Sequence, residues 1–235
     1  MIFQMRAYRT VVLIAATCAV ACSGQSSSPE GTSVPGSIQS RAEKAKEQGE
    51  TSLTIRTPRG MFEKISSLDE ALSTYHVVIA IPVASVTQLV DSNHIYTWYK
   101  LKAVERLVPH PNPEVPTISI PQALLPVGAD EIVIRVPQGT VTIDGVRVTA
   151  EDPDSRLLTL NDRYLFFLSP DSSGKFAYLR AGPNAIYRIT PENKIAPLVE
   201  KQNQMQADVE ASTAGSLDTL RHAAKAKVAE RLPQQ

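Results

Sequence analysis

The feature that most constrains this chain is a pair of long apolar runs, Val77 to Val90 and Ile95 to Val108, separated only by Asp91-Ser92-Asn93. The first run is rich in β-branched residues and the second in aromatics, which is strand composition, and Asp-Ser-Asn between them is turn chemistry. The chain therefore goes out along one strand and returns along the next. Pro82 carries no N–H for a ladder, so the first strand is an edge there or bulges.

Further strand signals follow. Thr140-Val141-Thr142-Ile143-Asp144-Gly145-Val146-Arg147-Val148-Thr149 reads as a hairpin, because Asp-Gly suits the two positive-φ positions of a type I′ turn. That turn sets Ile143 opposite Val146 and Val141 opposite Val148 on a core face, with Thr142 opposite Arg147 on a wet one. Glu131 to Val136 is another strand. Tyr164 to Leu168 and Lys175 to Leu179 flank Asp171-Ser172-Ser173-Gly174 as a further hairpin, and Ile186 to Ile189 adds a last strand. Six or seven strands at this spacing predict a mainly β domain over 51–198, an antiparallel barrel of OB-like type or a sandwich.

Helical signals lie at the two ends of this region. Ser67 suits the N-cap of a short helix beginning at Leu68, with Glu70 placed for a capping box. In 199–235 the period becomes helical, with Leu217, Leu220, Ala224 and Val228 on one face, and Gly215 divides the segment as readily as not. The thin apolar stripe predicts an amphipathic surface helix that packs on the β domain or on a partner. Six prolines between Leu107 and Val127 predict an extended excursion.

The order of strands from Val77 to Leu168 resembles the OB-type barrel of netrin-like and metalloproteinase-inhibitor modules, and domains of exported bacterial proteins. The resemblance covers about half the chain and rests on patterning. Those inhibitors chelate zinc through an N-terminal cysteine held by disulfides, and no disulfide can form here, so inhibition is not carried over.

The amino terminus has Arg6 and Arg9, no acid, and an apolar run of eleven residues from Val11 to Ala21. This is the layout of a secretory signal, and the run falls short of the roughly 20 residues that cross a bilayer. Ala19-Val20-Ala21-Cys22 resembles the bacterial lipobox, with alanine where that family prefers leucine. The resemblance implies cleavage before Cys22, a diacylglycerol on its thiol and an acylated amino terminus, palmitate being a typical acid. Residues 1–21 are then a signal peptide and Cys22 the lipidation site. Ser23, being other than aspartate, implies the outer membrane in a Gram-negative host. From 22 to 50 the composition is Ser, Gly, Pro, Gln, Glu and Lys, which predicts a disordered tether.

Composition closes several routes. Loss of Arg6 and Arg9 leaves 22 of 24 basic residues against 24 acids, a formal balance near −2 that does not favour nucleic acid. The two cysteines are Cys18 and Cys22, so the mature domain has no disulfide, thiolate zinc site or thiol nucleophile, and its stability must come from an apolar core. The four histidines lack metal-ligand spacing. Glu151, Asp152, Asp154 and Asp162 gather in one loop without the glycine-punctuated calcium pattern. Gly-x-Ser-x-Gly and phosphate-cradling glycine loops are absent. No cofactor is implied.

Tyr96, Trp98 and Lys100 alternate onto one strand face, with Ile95, Thr97, Tyr99 and Leu101 on the other. Left open, that strip would bind a glycan or a peptide. The favoured reading is that the C-terminal helix or the proline-rich excursion covers Trp98 and Tyr96. The expectation is a non-enzymatic binding or assembly protein of the bacterial envelope, held to the membrane by its lipid, with an envelope protein or glycan as partner. The rival is a periplasmic enzyme or enzyme inhibitor with its site in the 107–127 or 151–162 loop.

Overall fold

The computed structural model describes residues 36–57, 62–109, 117–152, 156–199 and 203–231. Cys22 and the signal lie outside the described residues, as does Asp154. The elements in chain order are α1 (Ile38–Glu47), β1 (Ser52–Arg56), α2 (Leu68–Thr74), β2 (His76–Val90), β3 (His94–Val108), β4 (Glu131–Val136), β5 (Gly139–Ile143), β6 (Val146–Glu151), β7 (Tyr164–Pro170), β8 (Ala177–Tyr178), β9 (Ile186–Ile189), β10 (Ile195–Pro197), α3 (Gln204–Thr213) and α4 (Leu217–Arg231). The large sheet runs β10-β9-β7-β2-β3-β4, with β8 on β7, and the small one runs β1-β6-β5.

The protein is mainly β and sandwich-like; among the described residues the large sheet ends at β10 and β4 and does not close, which corrects the barrel alternative. β1 joins β6 in parallel, an exception to the antiparallel expectation.

The β2–β3 hairpin is the long axis. Its turn begins at Asp91, in the left-handed region at φ 57, whose carboxylate accepts the Asn93 N–H at 2.8 Å. Pro82 sits at a bulge opposite Leu101 on the β3 side, while pairing of β2 with β7 stops at Ala80. No ladder bond is therefore lost to the proline. On β2 and β7, Val77, Ile79, Leu165 and Phe167 face a helical layer, and Val78, Ala80, Phe166 and Leu168 face the opposite core. Burial on both faces is why these runs lack polar alternation.

The helical layer is α2, α3 and α4. Ser67 caps α2 as expected, accepting the Glu70 N–H at 3.1 Å, but the Glu70 carboxylate reaches back to the N–H and hydroxyl of Ser66, which hold its carboxyl below the usual range. The C-terminal segment is two helices, with left-handed Ala214 and Gly215 between them. Leu217, Leu220 and Ala224 are buried, and Arg221 binds Glu105 of β3 through Nη2 at 2.7 Å. The helix packs on the sheet.

The other end of the hairpin packs on the small sheet. Ile95 and Leu89 meet Val146, Val148 and Ala150 there, together with Ile38, Ala42 and Ala45 of α1. The tether expected over 22–50 is thus corrected in its last part: Ser37 caps a helix, accepting the Ser40 N–H at 3.0 Å, and Ile38, Ala42 and Ala45 share one buried face. The Asp144-Gly145 hairpin has the expected register, Ile143 to Val146 and Val141 to Val148, with φ of 49 and 87 at the turn.

Between β4 and β5 the chain crosses close over the hairpin. The Thr97 hydroxyl donates to Gln138 O at 2.7 Å and lies 2.8 Å from the Thr87 hydroxyl. A Cβ on Gly139, at φ 141, would fall on both threonines. Gly139→Ala is expected to cost about 1–3 kcal/mol, read as a lower urea midpoint at unchanged slope.

Candidate ligand-binding cleft

A cleft of about 690 Å³ opens at the junction of β3, β4 and the β8 segment. That is within the range of small-molecule sites, about 300–1,000 Å³. Its base comes from strands. Trp98 of β3 and Arg135 of β4 are cross-strand partners, so alternation puts Tyr96, Trp98 and Arg135 on one face. The Arg135 guanidinium lies 4.4 Å from the Tyr96 ring centre and 5.4 Å from that of Trp98. Both rings thus lie within cation–π reach of the guanidinium.

Trp98 lies beneath, packed on Phe176 at 5.8 Å between ring centres, and Phe176 meets Tyr178 edge-on at 4.8 Å. Phe176 and Tyr178 line the cleft. The opposite wall is Phe62 and Glu63. The Phe62 ring lies on Gly182, where a Cβ would occupy the ring's place. Glu63 donates its N–H to Arg180 O at 2.8 Å and accepts the Tyr75 hydroxyl at 2.9 Å. Burial first, and then the Glu63 carboxylate, raise the Tyr75 phenol far above its ordinary range, so it remains a donor.

His94 and Asp152 complete the rim. His94 Nδ1 lies 3.0 Å from both Asp91 carboxylate oxygens, and its ring stacks on Tyr96 at 6.0 Å. Thr57 is the hydroxyl-bearing aliphatic residue in the lining, and its Oγ1 donates to Pro137 O at 2.6 Å. The site offers flat apolar faces, two guanidinium groups and two carboxylates. That is equipment for holding a ligand.

The residues singled out in the sequence fare differently. Trp98 is 2% exposed, so the aromatic-basic strip is corrected as an open surface. Its cover is the proline-rich excursion, through Leu124 and the partly buried Ile118, Ile120 and Val127. Tyr96 is half-buried and lines the cleft. The Lys100 ammonium donates to Pro126 O at 2.7 Å and is not part of the lining. Of the acidic loop, Asp152 reaches the cleft, Glu151 pairs with Arg56 in the β1–β6 ladder, and Asp162 binds Arg188 at 2.9 Å. Among the described residues no group of three or more His, Cys, Asp or Glu side chains could hold a metal ion.

Arg135, Arg180, Phe62, Glu63 and Tyr178 went unnoticed in the sequence. Arg135 carried one signal, a charge at an alternating position of the apolar strand Glu131–Val136.

The chain matches no known family model and no curated protein. No helix among the described residues is long and apolar enough to cross a membrane.

Trp98→Ala is expected to lower unfolding free energy by about 3–5 kcal/mol, as for a large aromatic removed from a core. Lys100→Met should cost less, about 1–2 kcal/mol, since it removes the ammonium's contacts with Pro126 O and with the Glu131 carboxylate at 3.6 Å but leaves an apolar stem in place. Equal losses in urea unfolding would show that the strip is not divided in this way.

Proposed function

We propose that this chain is a lipid-anchored protein of the bacterial envelope whose folded domain binds a small ligand without transforming it. The observation that carries the binding role is the cleft base, where Arg135 is held against Tyr96 and Trp98. A cation fixed on aromatic faces loses little freedom when it meets a ligand, which favours affinity. Binding is favoured over turnover because the Thr57 hydroxyl is already donated to the backbone and no thiol exists downstream of Cys22.

The anchor rests on Ala19-Val20-Ala21-Cys22 behind the apolar run. A multiply acylated Cys22 would hold the protein stably where a single chain would be marginal. Because α1 begins at Ile38, the tether that composition implies over 22–50 would have to lie before that helix. The folded domain would then work on the periplasmic or outer side of the membrane.

Cells fed a clickable palmitate analogue should label the wild-type chain and leave Cys22→Ala unlabelled and released from the membrane fraction. Equal labelling of the two would remove the anchor from this reading.

A further inference from the structure

We propose that the cleft takes an organic acid of single negative charge with an apolar body, its carboxylate meeting the Arg135 guanidinium; this rests on the binding role proposed above. A guanidinium presents its N–H donors in a rigid fork. Among the described residues three arginines are half-buried: Arg135, Arg163 and Arg221. Arg221 meets the Glu105 and Asp218 carboxylates at 2.7 and 2.8 Å, and Arg163 Nη1 lies 3.5 Å from the Asn193 side-chain oxygen. Arg135 has rings beside it instead, Tyr96 at 4.4 Å and Trp98 at 5.4 Å, and among the described residues its donors meet no acceptor. The rings attract the charge but offer no oxygen to the fork. A carboxylate entering the cleft brings two, in the geometry that a guanidinium matches.

The rest of the lining sets the body of the ligand. Its polar groups are largely engaged. The Glu63 carboxylate accepts the Tyr75 hydroxyl, His94 Nδ1 lies 3.0 Å from the Asp91 carboxylate, the Thr57 hydroxyl donates to Pro137 O, and Asp152 has a partner of its own. A ligand hydroxyl arriving there competes with contacts already made and gains little. Arg180, the other guanidinium of the lining, is exposed, so an ion pair with it adds little.

Phe62, Pro137 and Leu179 line the same volume and keep part of their surface open, Phe62 at 37%. Hydrocarbon covers such surface with a gain that hydroxyls do not give. The carboxylates of Glu63 and Asp152 oppose negative charge in proportion to its size, which ranks a monoanion above a phosphate dianion. One charged head and an apolar body therefore suit the cleft.

Trp98 supplies the readout, being the single tryptophan of the chain and lying beside the Arg135 guanidinium. The full chain in lipid nanodiscs is titrated with phenylbutyrate, its primary amide, glucuronate and phenyl phosphate, with empty discs as the blank. Trp98 emission is followed and calorimetry gives a second measure of each affinity. Phenylbutyrate should bind about tenfold more tightly than its amide, the worth of a charged hydrogen-bonded pair, and more tightly than glucuronate or phenyl phosphate. Arg135→Gln should bring the acid down to the affinity of the amide while the amide binds as before, a result that an unfolded chain cannot give. Phe62→Ser should weaken acid and amide alike, by roughly threefold to tenfold, and leave their ratio unchanged. Equal binding of acid and amide, or a preference for the acid that survives Arg135→Gln, would overturn the pairing with Arg135. Glucuronate or phenyl phosphate binding as tightly as phenylbutyrate would overturn the apolar monoacid. Either result keeps the cleft as a binding site, whereas no binding of any of the four probes would overturn that role as well.

Discussion

Everything in this fold hangs on the β2–β3 ladder, two strands of 15 residues each that are covered by different partners at each end, with Val83 and Val104 exposed between them. Near Val77 and Val108 the cover is the helical layer and β7; near Leu89 and Ile95 it is the small sheet and α1. Side chains alternate with a period of two, so a slip of one residue would exchange the two buried sets at the Val77 end and turn Leu89 and Ile95 away from the small sheet at the other. Register is therefore specified twice over. The bulge at Pro82 lies where the β7 pairing has ended, and lets the strand change partners without losing a ladder bond.

The same register builds the cleft. Tyr96 and Trp98 lie two residues apart on β3, and the β3–β4 pairing sets Arg135 directly across from Trp98. A cation on β4 would cost much if it were buried without a partner, and the two rings supply an attractive face instead. Trp98 must be covered from the far side for this to hold. The excursion between β3 and β4 does so, bringing Leu124 onto the indole. Prolines that forbid a helix thus serve the site indirectly.

What could be read in the sequence was local. Asp144-Gly145 dictated its own turn and hence its ladder, Ser67 announced a helix start, and Gly215 marked a break, because each effect is decided within a few residues. The exposure of Trp98 could not be read in that way, since alternation assigns a face but not its cover. α1 was missed for a related reason: Ile38, Ala42 and Ala45 form too thin a stripe to signal a helix, and become a core face only against Val148 and Ile95. The parallel β1 likewise depends on β6 being present. The cleft draws on segments spread from Thr57 to Pro183, so only Tyr96 and the acidic loop pointed toward it.

The two sides of the cleft differ physically. Its base stands on a sheet buried on both faces, in a domain without disulfides whose rigidity is that of packed side chains. The opposite wall is held by the Glu63 N–H on Arg180 O, the Tyr75 hydroxyl on the Glu63 carboxylate, and the Phe62 ring on Gly182. Gly182 is at φ 61 with no side chain, and this lets Phe62 approach the backbone. The base is thus carried by stiff strands, where small displacements are costly, and the opposite wall by a few hydrogen bonds. Because the Tyr75 phenol stays protonated well beyond the neutral range, the bond that fixes Glu63 keeps its donor across physiological pH.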